Sequence, residues 1–170
     1  MKFLKSVSVR FFVVALLILW LPGCASVDLD TKKAEFLAEG ITPFWLIVKY
    51  KNVSALGGVS IELIYRNLSD KTIKYIDFEV TPYNAVGDVI SGDFDGKTTV
   101  LLNKVGPIGP GERRDTTWEN IWYNSTFRCF ELNSVEITYM DGSTGTLSKE
   151  EIDRTWLNAM DEKISNTCKP

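Results

Sequence analysis

The sequence contains no histidine among its 170 residues. That absence removes imidazole acid–base catalysis, histidine-activated serine or cysteine nucleophiles, and histidine-ligated zinc or copper. Cysteine is nearly as scarce, with Cys24, Cys129 and Cys168 only, and no C-x-x-C pair forms a zinc knuckle or a thioredoxin-like redox site. Cations are few as well: 19 Lys and Arg stand against 22 Asp and Glu. A groove that displaces counterions from phosphates needs clustered cations, so nucleic acid is not an expected partner. No apolar run reaches the roughly 20 residues that span a bilayer as a helix.

What is present begins with an address. Lys2, Lys5 and Arg10 precede the unbroken apolar run Phe11 to Leu21, followed by "PGCAS" at 22–26. A charged start, a short apolar stretch and a small residue before a cut form the pattern of a secretory signal. With Leu21 three places before Cys24 and Gly23 directly before it, the segment resembles the lipobox of bacterial lipoproteins. That resemblance implies cleavage before Cys24, a diacylglyceryl group on its sulfur and acylation of the new amino terminus. An uncleaved anchor or an ordinary signal peptide is the alternative. Two or three acyl chains make attachment effectively permanent, at about 0.8 kcal/mol per buried methylene. Ala25 and Ser26 lack the aspartate that signals inner-membrane retention, so the expected location is the cell envelope, at the outer membrane where the organism has one. Loss of residues 1–23 removes three cations, leaving 16 against 22 carboxylates and a net charge of about −6.

The rest divides into a lipidated cysteine, tether and short helix over 24–40, a β-sandwich over 41–142, and a C-terminal helix and tail over 143–170. Asp30 is the expected N-cap of the first helix and Gly40 its stop. "PFWLIVKYKN" at 43–52 is β-branched and aromatic, as a strand requires. Ile61, Leu63 and Tyr65 alternate with Ser60, Glu62 and Ile64, and Ile76, Phe78 and Val80 alternate with Tyr75, Asp77 and Glu79. That period of two marks half-buried antiparallel strands. "YNAVGD" at 83–88 carries the Asn and Gly of a reversal, and "SGDFDGK" at 91–97 follows as a loop. Thr98 to Val105 reads as a strand broken by "GPIGPGE", whose prolines donate no ladder bond. "TTWENIWYN" and "NSVEITYMDG" supply two more strands. Ser148 with Glu151 makes a capping box for a helix whose apolar stripe is Ile152, Trp156, Ala159, Met160 and Ile164. Strands at short intervals with no alternating helices predict an all-β protein, an immunoglobulin-like antiparallel β-sandwich with a C-terminal amphipathic helix.

Few constellations carry chemistry. Trp118 and Trp122, four apart in one strand, share a face, and with Tyr123 they are the candidate binding residues: they stack on a sugar ring or grip a protein, or else both tryptophans lie in the core. Asp93 and Asp95 in "GDFDGK" are weak candidates for calcium, since Lys97 stands where a third oxygen ligand belongs. Cys129 and Cys168 either pair, stapling the tail to "FRCFELN", or remain free thiols. Asn52, Asn67 and Asn124 match the N-glycosylation acceptor pattern, which carries no weight in a bacterial lipoprotein.

Phe78, Tyr83 and Gly87 in "FEVTPYNAVG", with "GPIGPGE" downstream, resemble the immunoglobulin-like modules of bacterial envelope proteins grouped around an F-x-L-Y-D strand-and-turn motif. The resemblance covers about residues 57–142 and brings no catalytic residue and no cofactor with it. It implies an interaction role: a non-enzymatic binding or scaffolding module, held to the bilayer through acylated Cys24, whose partner is an envelope protein or a glycan. A carbohydrate-binding module is the alternative, then a calcium-binding domain, then a carboxylate hydrolase.

Overall fold

The computed structural model describes residues 28–157 and 168. Asp28, not Asp30, caps the first helix: its carboxylate accepts from the Asp30 N–H at 3.3 Å and from the Thr31 hydroxyl at 2.7 Å. Capping from Asp28 starts α1 at Leu29–Ala38, and Gly40 ends it in the left-handed conformation at φ 69°. Among the described residues seven strands follow: β1 Phe44–Val53, β2 Gly58–Asn67, β3 Ile73–Asn84, β4 Val100–Ile108, β5 Arg113–Tyr123, β6 Phe127–Tyr139 and β7 Thr144–Ser148. α2, Lys149–Leu157, is the last element among the described residues.

The strands form two antiparallel sheets, ordered β1-β2-β5 and β4-β3-β6-β7, packed face to face as an immunoglobulin-like sandwich. Alternation decides which side chains enter. Ile61, Leu63 and Tyr65 from β2, and Ile76, Phe78 and Val80 from β3, are all fully buried. The rings of Phe44, Tyr65 and Phe78 meet between the sheets, with Tyr65 5.3 Å from each of the other two. The Tyr65 hydroxyl and the Thr116 hydroxyl share a hydrogen bond of 3.0 Å, which satisfies the one polar atom this cluster carries inward.

Two of the boundaries that differ from the sequence expectation alter the sandwich itself. β4 does not break at "GPIGPGE" but runs through Pro107 to Ile108. β4 is the outer strand of its sheet, where a missing N–H need not interrupt the ladder to β3. The sandwich also extends past Gly142: Asp141 and Gly142 turn the chain into β7, which pairs with β6 from Thr144↔Thr138 to Ser148↔Ser134. Only then does the capping box act, with the Ser148 N–H donating to Glu151 Oε2 at 2.7 Å and the Glu151 N–H to Ser148 Oγ at 3.3 Å. Ile152 from that helix is fully buried in the common core. Ala159, Met160 and Ile164 of the expected stripe lie outside the described residues.

Asn67 joins two connections at one end of the sandwich. Fully buried, its Nδ2 donates to the carbonyls of Lys71, Ile108 and Gly109 at 2.8, 3.1 and 3.1 Å, while its Oδ1 accepts from the Ser69 N–H and hydroxyl. It is a structural residue of the β2–β3 and β4–β5 connections, closed to glycan attachment.

Candidate functional site

Three connections meet at the opposite end. The β1–β2 turn closes with Ser54 N–H to Gly58 O at 2.8 Å, and Gly57 takes φ 81° there. The β5–β6 turn is tied to it by Asn124 N–H to Gly57 O at 3.0 Å. The β3–β4 loop folds as two compact reversals. In the first, Asn84 Oδ1 accepts from the N–H groups of Val86 and Asp88. In the second, Gly96 N–H donates to Gly92 O at 2.9 Å and Lys97 N–H to Asp95 Oδ1 at 3.1 Å. Asp93 N–H to Tyr123 O, 2.8 Å, and Asn124 Nδ2 to Ser91 O, 2.9 Å, fasten this loop to the end of β5.

The backbone polar groups at this end are thus largely turned toward one another, while Ile90, Trp122 and Phe127 are buried and a few other apolar side chains stay exposed. Leu56 is 89% exposed, Phe94 83% and Val86 69%. The Phe94 ring meets the edge of Tyr123 at 5.1 Å between centroids. Scattered single apolar residues need no explanation, but several carried on adjoining, internally hydrogen-bonded turns form a surface suited to contact with another molecule.

The sequence candidates divide around this site. Trp118 and Trp122 do share a face, and it is the inner one: they pair with Ile61 and Val59, both fully buried. Between them Glu119, Asn120 and Ile121 oppose the single residue Ser60, with Asn120 at φ 53°. Two extra residues on β5 make this a wide irregularity that leaves the inward parity unchanged. Trp122 is 2% exposed and stacks on Phe127 at 6.2 Å; Trp118 is half-buried with its edge against Phe78 at 5.6 Å. Neither ring lies open as a platform for a sugar. Tyr123, on the opposite parity, is the candidate that reaches the loop end.

Asp93 and Asp95 lie in the same loop. Asp95 is paired with Lys97 at 3.5 Å, and Asp93 Oδ1 accepts from Asn124 Nδ2 at 3.4 Å. Among the described residues no group of three or more metal-ligating side chains forms. Cys129 and Cys168 are joined as a disulfide, Cα to Cα 5.9 Å. It holds Cys168 beside the buried Glu131, whose Oε1 accepts the Cys168 N–H at 2.8 Å and whose Oε2 lies 3.6 Å from Lys149 Nζ. Burial and the Glu131 carboxylate together raise the Tyr83 hydroxyl above its ordinary pKa. Cys24 lies outside the described residues.

Leu56 and Phe94 were not singled out from sequence. The signal was there, in an apolar residue set alone among turn formers in "SALGG" and "GDFDG". No family model, no curated protein and no solved structure matches this chain.

Proposed function

We propose that this protein is a lipid-anchored lipoprotein of the cell envelope, attached through Cys24, that acts as a non-enzymatic module holding another envelope protein against an apolar site at its loop end. The supporting observation is a distance. Only Ala25, Ser26 and Val27 separate Cys24 from the N-cap Asp28, so that the folded domain begins within about 14 Å of the anchored cysteine even with the chain fully extended. Lys33, in the second turn of α1, is ion-paired with Asp70 in the β2–β3 connection. Leu56 stands at the far end of the ten-residue β2, about 30 Å away along the strand. An anchor at Cys24 therefore holds the Asp70 end toward the bilayer and presents Leu56, Phe94 and Tyr123 away from it.

The test is a photo-reactive residue introduced at Phe94 in intact cells. The reading expects a discrete adduct with an envelope protein that disappears in the Cys24→Ser variant. No adduct, or the same adduct from the unanchored chain, contradicts it.

A further inference from the structure

The four-stranded sheet carries a second surface, on its outer face. Register places Asp77 of β3 directly opposite Glu136 of β6, and Glu79 follows two residues along β3 on the same side. Like charges directly opposite one another destabilise an antiparallel pair. Nothing within the described residues relieves this row by ion pairing: Asp77 accepts from the neutral amide of Asn103 at 2.8 Å and Glu79 from the Ser134 hydroxyl at 3.1 Å. Lys74, close by in sequence, holds its ammonium 5.1 Å above the Tyr75 ring.

Beside the acidic row, on the same face, runs an apolar strip. Leu101 and Val105 of β4, paired with Glu79 and Tyr75, are 68% and 60% exposed, and Tyr75 is 38% exposed. An uncompensated acidic row bordered by exposed apolar side chains fits a binding surface better than a solvated sheet face, whose charges need only water and whose side chains need not be apolar.

Charge selects the occupant. A second copy docked through a two-fold axis would set this acidic row against itself or against the apolar strip, neither of which offers a cation, and anionic lipid or nucleic acid would be repelled. The adjoining β4 edge is not the route in, because Trp118 Nε1 already donates to the Asn103 carbonyl there, at 3.0 Å. We propose that this face docks a basic, amphipathic segment of a partner protein, with its cations over Asp77, Glu79 and Glu136 and its apolar side chains against Leu101, Val105 and Tyr75. The surface is separate from the loop end and does not depend on it.

The experiment titrates the full chain into a fluorescently labelled peptide of alternating lysine and leucine and reads anisotropy. Two variants test the two halves of the face, Asp77→Asn/Glu79→Gln/Glu136→Gln and Leu101→Ser/Val105→Ser. A third, Glu62→Gln/Asp115→Asn/Glu119→Gln, removes the same number of carboxylates from the other sheet. The proposal expects each of the first two to weaken binding at least tenfold and the third less than twofold. Equal weakening by the third variant would reduce the effect to net charge and overturn the proposal. So would failure of the unsubstituted chain to bind, or binding that neither of the first two variants weakens.

Discussion

The indole Nε1 of Trp118, on the edge strand of one sheet, donates to the backbone carbonyl of Asn103, on the edge strand of the other, at 3.0 Å. Trp118 thereby ties the two edge strands together along this flank of the sandwich, and Arg114 adds a second tie, to the Pro107 carbonyl at 3.3 Å. Unpaired edge strands are templates for aggregation, and covering them is a recurrent remedy.

Trp118→Phe keeps a ring against Phe78 and loses only the hydrogen bond, so a cost of about 1 kcal/mol is expected. Trp118→Ala removes both and should cost about 3 kcal/mol while uncovering the β4 edge. Urea denaturation with light scattering checks this: the alanine variant should also self-associate. A monodisperse alanine variant as stable as the phenylalanine one would show that the flank is sealed by something else.

Asn67 carries a larger share of the other end. Asn67→Ala takes the amide donor from three buried or part-buried carbonyls, of which that of Lys71 keeps the Ser69 hydroxyl, and a loss of about 3 kcal/mol follows. Asn67→Asp is expected to do no better, because a carboxylate accepts where donors are needed. Denaturant midpoints decide it; an aspartate variant with unchanged stability would mean the amide donors contribute nothing.

Acid sensitivity has a local source in the β6–β7 turn. The Ser143 hydroxyl, the Lys71 ammonium and the Ser143 N–H hold the Asp141 carboxyl well below its ordinary range. A depressed carboxyl contributes stability above its unfolded pKa of about 3.9, and that contribution is lost as pH falls toward the lower folded value. Asp141→Asn should therefore be less stable than the parent at pH 7, with the gap shrinking as the pH drops below about 4. Denaturation at pH 7 and pH 3 gives both numbers; a gap independent of pH would remove the carboxylate from the account.

Much of the fold was legible because it rests on local rules. Ile76, Phe78 and Val80 alternate with polar residues, and all three are buried. Ser148 and Glu151 make the reciprocal bonds their spacing anticipates. The misreadings arose where the answer depended on position in the sheet. Pro107 continues a strand because that strand is an edge, and Thr144–Ser148 becomes a strand because β6 offers it a ladder. Spacing put Trp118 and Trp122 on one face, but only their pairing with Ile61 and Val59 identifies that face as the inner one. Phe94 was hidden for a related reason: in sequence it is one residue in a polar loop, and its neighbourhood with Tyr123 exists only once the loop is fastened to β5.

The central claim is the anchor, because the direction in which the loop end is presented follows from it. The most direct measurement is the intact mass of the protein extracted from membranes, alongside the Cys24→Ser variant. The account predicts a chain beginning at Cys24 with the added mass of its acyl groups, and loss of both the cleavage and the added mass in the variant. An unmodified or uncleaved chain would contradict it.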